Sequence, residues 1–367
     1  MVLSVMKTPN PPLTVNLECA DIRRFASMFS DCFDFPRADF YFRMLVDCAL
    51  FNDSLESYCN KNDQSPDRLQ FYLKRISVEE IVCFALKAYE KTLGMYDRRK
   101  VFLAIDYHDE EYFGEPDSYV INTIMLHGER YCKATVHRYI TMSIVDMQFK
   151  HTLAVLPVLN GQKSEELVRR LLDIAKKIVD IECVLLDRGF LTVNVLDTFN
   201  DMDVQYLIPS KKGNTDIRVA YWMSVETERW RWPHKLYKDR HTSVETELFL
   251  EELVTLEYMG FLTNRYMKTD TFKELLRIYD KRWNIENGYK EAKTYRIRTS
   301  SKNPVYRLLI QAIGHILVNL LQIVRHTRVK IRGYEMNQVF RHMLKTKTGR
   351  ETIRVSKRLY ITIKPPT

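Results

Sequence analysis

The stretch running from Tyr279 to Lys293 reads Tyr-Asp-Lys-Arg-Trp-Asn-Ile-Glu-Asn-Gly-Tyr-Lys-Glu-Ala-Lys. On a helix turning roughly 100° per residue, Tyr279, Arg282, Glu286 and Lys293 fall within an arc of about 60°. One face then carries an aromatic hydroxyl, two cations and a carboxylate. A core-facing stripe would be apolar at these positions, and a solvated stripe has no need of Tyr, so the mixture points to an anionic ligand bound through a metal. Arg282 and Glu286 also stand at i and i+4, and an ordinary surface ion pair explains that part of the pattern equally well.

Two further acids stand at structurally special places. Val101–Ile105 is a short apolar run ending in Asp106, and Cys183–Leu186 is another ending in Asp187. If these two strands are neighbours, Asp106 and Asp187 emerge side by side, and a helix crossing that edge brings Glu286 to them. Hard oxygen ligands of this kind suit Mg²⁺ or Mn²⁺, which keep positions open for water and phosphate oxygens. Two such ions about 4 Å apart activate an attacking oxygen and stabilise the leaving one in an in-line phosphoryl displacement. Each Asp taken alone is equally well a turn former. Of the neighbouring acids, Asp109 is expected past the strand, and Glu291 on a different face of the helix from Glu286.

The elements that must position these acids follow the change in period along the chain. A helical region, 1–96, includes a short helix from Ser65-Pro66 and a longer one opened by Ser77 with Glu80 three residues on, the pattern of a capping box. Two helices joined tightly can read DNA, the reading the rest of the chain favours, although helical hairpins are also common in cores. From Lys100 the runs become strand-like: Val101–Ile105, Tyr119–Leu126, Lys133–Val145 and Thr152–Val158 suggest an antiparallel meander. An amphipathic helix over Ser164–Val179, the Cys183 strand, a helix from Thr192 to Asn200 and a strand over Val204–Ile208 come next. Residues 211–269 hold three of the four tryptophans, Trp222, Trp230 and Trp232, and read as a mostly β insertion on the sheet. Helix resumes near Thr271, and a long helix covers Val305–Arg325. The resulting division is 1–96, 97–330 and a basic region 331–367.

Bulk composition limits the partners. A chain of 367 residues, 46% hydrophobic and 12% aromatic, builds a large core. No run of eighteen apolar residues suggests a membrane span, and the first residues lack a signal pattern. Seven cysteines form no C-x-x-C pair, and nine histidines show no metal-ligand spacing, so neither a disulfide frame nor a zinc site is expected. The net charge is +9, and between Arg325 and Arg358 eleven Lys or Arg face only Glu335 and Glu351. A polyanion is the natural partner of such a region; charge for solubility is the alternative. The expected location is the cytoplasm, in association with the nucleoid.

The sequence resembles the DDE transposases of bacterial and archaeal insertion sequences, in the subgroup marked by a Y-R-E-K signature. Tyr279, Arg282, Glu286 and Lys293 meet every spacing of that signature, and the likeness covers roughly 100–325. Asp187-Arg188-Gly189-Phe190 is similar to the second-acid motif, and Asp106 within Ala104-Ile105-Asp106-Tyr107 is similar to the first. The resemblance implies an α/β fold, ribonuclease H-like and related to retroviral integrases: a mixed sheet with flanking helices, a β-rich insertion between the second Asp and the Glu, and a helical N-terminal region. It implies DNA cleavage at element ends by metal-activated water, attack of the freed 3′-OH to form a hairpin, and transfer of the reopened end into target DNA. Asp106, Asp187 and Glu286 would hold two Mg²⁺ or Mn²⁺ ions. Tyr279, Arg282 and Lys293 would grip double-stranded DNA near the cut, and synapsis of two ends makes a homodimer the expected assembly.

General physics suits those roles. Arg presents a planar fork to phosphate, Lys a point charge, and a Tyr hydroxyl can donate to phosphate oxygen. A base drawn out of the helix is stabilised by an aromatic face, for which Trp222, Trp230 and Trp232 are unranked candidates. Arg188, Lys211 and Lys212 join the expected DNA contacts, and Trp283 is expected to pack within its helix bundle. Two rivals stand beside the transposase: a ribonuclease H-like nuclease without strand transfer, and a transposase-derived DNA-binding protein that has lost catalysis.

Overall fold

Local signals set several helix starts, with side-chain caps at Ser54, Ser77 and Thr192. Ser77 and Glu80 exchange main-chain bonds, the Ser77 N–H donating to Glu80 Oε2 at 2.8 Å and the Glu80 N–H to Ser77 Oγ at 3.2 Å, which satisfies donors that a helix start leaves free. The computed structural model describes residues 13–16, 22–93, 100–115, 117–127, 130–146, 149–210, 215–227, 231–252, 258–264, 272–326, 333–345, 351–356 and 359–363. A first strand, β1 (Leu13–Asn16), precedes five helices: α1 (Arg23–Cys32), α2 (Ala38–Phe51), α3 (Leu55–Lys61), α4 (Asp67–Leu73) and α5 (Val78–Leu93). Phe29 and Phe33 of this region pack on Phe84 of α5. Ile81, Val82, Ala85, Ala88 and Tyr89 recur at helical spacing and are all buried, so this face of α5 is part of the core.

The main sheet begins with β2 (Val101–Glu111), β3 (Val120–His127), β4 (Arg130–Asp146) and β5 (Phe149–Pro157), then passes through α6 (Ser164–Ile178), β6 (Ile181–Leu186), α7 (Val193–Asp201) and β7 (Tyr206–Pro209). β4 is long because it serves three partners: β2 along one edge, and β3 then β5 in succession along the other. β6 lies parallel to β2 and to β7, so the sheet is mixed. The first strand was expected to stop at Ile105. It runs on to Glu111, because beyond Ile105 it loses β6 as a neighbour but keeps its antiparallel partner β4.

The segment after β7 differs from the expected mostly β insertion lying on the sheet. It opens with a helix, α8 (Thr215–Thr227), followed by β8 (Arg231–Tyr237), β9 (Ser243–Glu252) and β10 (Tyr258–Thr263). Val219 and Val225 favour a strand by type, yet Ile217, Tyr221 and Ser224 are buried at helical spacing, and burial of that stripe overrides propensity. The three strands extend the sheet edge to edge: β10 runs antiparallel to β7, and the Ser210 N–H donates to the Gly260 carbonyl at 2.8 Å. A Cβ on Gly260 would lie 2.7 Å from Ser210 Oγ and 3.0 Å from Leu250, so this close approach requires glycine. The order across the sheet is β3-β4-β2-β6-β7-β10-β9-β8, with β5 beside β4.

Helices α9 (Phe272–Asp280) and α10 (Trp283–Ala292) then cross one face of the sheet, followed by a 3₁₀ turn at Lys293–Tyr295, α11 (Pro304–His326) and α12 (Gly333–Lys345). α11 is apolar and long enough to cross a membrane by composition, but 94% of that window is buried within the protein. It is a core helix, and it packs on α5 and β5. Its Asn319 takes both main-chain groups of Thr152, accepting from the N–H and donating to the carbonyl at 2.9 Å each, where the β4–β5 register slips by a residue. His151 and His315 complete this buried network through Thr92, Asn319 and Thr152. The basic C-terminal region supplies α12 and two strands, β11 (Glu351–Ser356) and β12 (Leu359–Ile363); β12 pairs with both β11 and β1.

Candidate active site

The pleat of two strands decides where the acids point. Ala104 of β2 and Cys183 and Leu185 of β6 belong to one apolar cluster with Leu207, Phe261, Tyr279, Ile285 and Tyr289. Side chains two residues apart share a face of a strand, so Asp106 follows Ala104 onto this face. Asp187, still extended at φ −77° and ψ 158°, follows Leu185. The last parallel pair is Ile105 with Leu186, which puts Asp106 and Asp187 next to each other one step on. The two acids thus project together toward α9 and α10.

α9 and α10 are each fixed over them by a tyrosine hydroxyl. Tyr279 donates to the carbonyl oxygen of Leu186, and Tyr289 to that of Asp106, each at 3.2 Å. Burial pushes the Tyr279 hydroxyl up to about 12 and that of Tyr289 well above its usual value, so both remain donors. Asn284 adds a bond to the Asp146 carbonyl and Lys281 an ion pair with its carboxylate. The helix expected to run unbroken through Tyr279 and Lys293 is divided at Lys281-Arg282 by turns of i to i+3 type, including Arg282 N–H to the Tyr279 carbonyl at 2.9 Å.

This turn sets Arg282 between the acids. Its Nη1 lies 3.7 Å from Asp106 Oδ2, and its Nη2 donates to Glu286 Oε1 at 3.0 Å. The guanidinium is 8% exposed. Against the effect of burial, Tyr279, Asp187, Asp106 and Glu286 hold it above its ordinary pKa. Asp106 is pushed up to about 6, first by burial and further by Asp187 and Glu286, with Arg282 and the Tyr107 N–H opposing. That N–H donates to Asp106 Oδ1 at 2.8 Å and orients the carboxylate.

The donor set fits a divalent cation by chemistry: hard carboxylate oxygens on one face, partly shielded from water, call for positive charge. Among the described residues no three acids or histidines stand at coordination spacing; a guanidinium lies between two of the acids.

The neighbouring acids have other partners. Asp109 was expected beyond the strand; it lies within β2, three residues from Asp106 and therefore on the opposite face, where Arg138 holds it with two bonds of 2.7 Å. Glu291 is occupied by Gln322, Arg325 and Lys150. Tyr289 was missed by sequence reasoning. It stacks on His108 at 4.8 Å, and its place one turn after Glu286 was the available signal.

The remaining expected contacts divide. Arg188 and Lys293 are exposed, Lys293 beside a small cleft lined by His108, Glu110 and Arg296. Trp222 is 61% exposed on α8, whereas Trp232 donates its Nε1–H to Ser224 Oγ at 2.7 Å and packs against the core. Trp283, expected to pack, is 53% exposed beside Arg282, because Ile285 and Tyr289 take the buried side of α10. Lys211, Lys212 and Trp230 lie outside the described residues.

A mixed sheet with helices on its faces and acids emerging from adjacent central strands defines a ribonuclease H-like fold. The family model described as "Transposase DDE domain" matches residues 121–318, more than half of the chain, and the chain belongs to that family. The match takes in Asp187 and Glu286 and begins after Asp106. No curated protein sequence matches the chain. Among solved structures it is similar to the piggyBac transposase in its synaptic complex with hairpin DNA, at a TM-score of 0.50 and 11% identity, over 89% of this chain and 70% of that one. At that identity the likeness concerns the fold.

Proposed function

We propose that this chain is an insertion-sequence transposase that cuts double-stranded DNA at the ends of its element and transfers the ends into target DNA through a hairpin. The observation that carries the reading is the meeting of Asp106 and Glu286 at one buried guanidinium, with Asp187 beside Asp106 on the same sheet face. Asp106, Asp187 and Glu286 would hold two Mg²⁺ or Mn²⁺ ions, which supply activation of the attacking oxygen and neutralise charge on the leaving one.

The chain's own residues do the rest. Tyr279 holds α9 in register with β6, and Tyr289 holds α10 in register with β2. Arg282 and Lys293 supply positive charge for the phosphates that flank the cut, with Arg188 beside the second acid. Trp222 offers an exposed aromatic face to an unstacked base. Residues 97–330 form the catalytic unit, 211–269 its insertion, and 331–367 a basic region suited to the DNA backbone. Two copies acting on two ends form the working assembly, at the nucleoid.

Incubating the purified protein with Mg²⁺ and DNA carrying the sequences that flank its gene tests the reading. Hairpin ends and strand-transfer products are expected. Nicks without hairpins or joined strands would reassign it as a nuclease, and binding without any cut as a DNA-binding derivative.

A further inference from the structure

A buried arginine touching two acids needs a reason, because a guanidinium taken from water is costly unless its donors are satisfied. Arg282 is only partly satisfied. Its Nη2 is bonded to Glu286 at 3.0 Å and its Nη1 stands off from Asp106 at 3.7 Å, while Nε is buried with no hydrogen-bond partner. The guanidinium also lies 5.5 Å from the centre of the Tyr279 ring. It sits in the turn between α9 and α10, where Arg282 N–H bonds the Tyr279 carbonyl and Ile285 N–H bonds the Arg282 carbonyl. The main chain is anchored at the turn, and the long side chain reaches from it to both acids.

We propose that Arg282 is a placeholder cation: it occupies the charge position between Asp106 and Glu286, and it must leave when a divalent cation enters. The inference rests on the acid assignment above and goes beyond it, because it gives Arg282 a second, earlier role than phosphate contact. One side chain then alternates between the acids and DNA. With Arg282 in place, Asp106 and Glu286 are held together at one fork and their mutual repulsion is offset. With a metal bound, the same guanidinium is repelled by the ion and released to solvent, where a phosphate is its natural partner. Metal entry and DNA grip are thereby coupled: each makes the other easier, and a protein with neither keeps its acids closed on its own arginine.

The test is the affinity of the DNA-free protein for Mn²⁺, followed by calorimetry and by the electron paramagnetic resonance signal of free Mn²⁺, in wild type, Arg282→Gln, Arg282→Lys and Glu286→Gln. Removing the competing charge in Arg282→Gln is expected to tighten Mn²⁺ binding about tenfold or more, with Arg282→Lys between that variant and wild type. Circular dichroism establishes that each variant is folded. Equal or weaker Mn²⁺ binding by folded Arg282→Gln overturns the placeholder role while leaving the acids as ligands. Mn²⁺ binding that is undetectable in both wild type and Arg282→Gln, or insensitive to Glu286→Gln, overturns the acid assignment and the placeholder with it.

Discussion

Tyr289 and Asp106, far apart in sequence, are joined by a hydrogen bond from the tyrosine hydroxyl to the aspartate carbonyl at 3.2 Å. The bond engages the main chain of the acid and leaves its carboxylate free. Tyr279 does the same at Leu186, the residue before Asp187. α9 is therefore indexed against β6 and α10, which brings Glu286, against β2, each through a strand's backbone and not through the acidic side chains.

Tyr279→Phe should separate positioning from phosphate contact. Loss of the bond to Leu186 is expected to cost about 1 kcal/mol of stability and to slow cleavage roughly tenfold through misplacement of Glu286, with DNA affinity unchanged. Thermal unfolding, single-turnover cleavage and a binding titration on the same preparation check this. Loss of DNA affinity with stability intact would move Tyr279 to the DNA surface.

Glu286→Gln keeps the shape of the side chain and removes its charge. Cleavage should vanish while DNA binding is retained in a gel-shift titration. A variant that still cuts would remove Glu286 from the reaction.

Lys293→Ala should weaken binding to end DNA and lower the slope of log affinity against log salt by about one. Equal affinities for variant and parent across the salt series would take Lys293 out of the contact.

The tryptophans should behave oppositely. Trp232→Phe loses the bond to Ser224 and is expected to lower stability by about 1 kcal/mol with little effect on hairpin yield. Trp222→Ala, at an exposed position, should leave stability within about 0.5 kcal/mol and reduce hairpin yield. Melting temperatures and hairpin assays on both variants decide the assignment.

The buried histidines give the fold an acid limit. Burial pushes His151 down to about 4 and His315 to about 3, while both take up protons near their ordinary pKa in the unfolded chain. Stability is therefore complete above about pH 6.5 and falls as pH drops toward 4, approaching about 2.7 kcal/mol per pH unit for two protons. His151→Gln should flatten this decline in melting temperature between pH 6.5 and 4.5. A variant with the wild-type slope would place the acid sensitivity elsewhere.

The starts of the central strands, the end of β6 at Asp187 and the helices α5 and α6 were legible because each carries a local signal: an apolar run, closed by Asp in β6, a capping box, a period of 3.6 with matching end charges. Asp109 shows where such reading stops. It was set aside as lying past the strand, and it lies inside it on the opposite face, since a strand's length depends on neighbours that a single segment does not reveal. Trp222 sits on a helix although its neighbours favour a strand, because burial of Ile217, Tyr221 and Ser224 is settled by β9. The break at Arg282 was hidden for a related reason. Nothing in Lys281-Arg282 forbids helix, and the turn forms where two anchored tyrosines fix the helix on different strands.

Alternation along β6 makes the site vulnerable in a way that no list of essential side chains captures. An in-frame gain or loss of one codon between 181 and 187 would rotate the terminal acid to the far side of the sheet, toward Tyr107 and Phe190, with every carboxylate still encoded. Copies of such a gene can fall silent while their signature stays intact, so the spacing within that strand is as much a marker of a working element as the acids themselves.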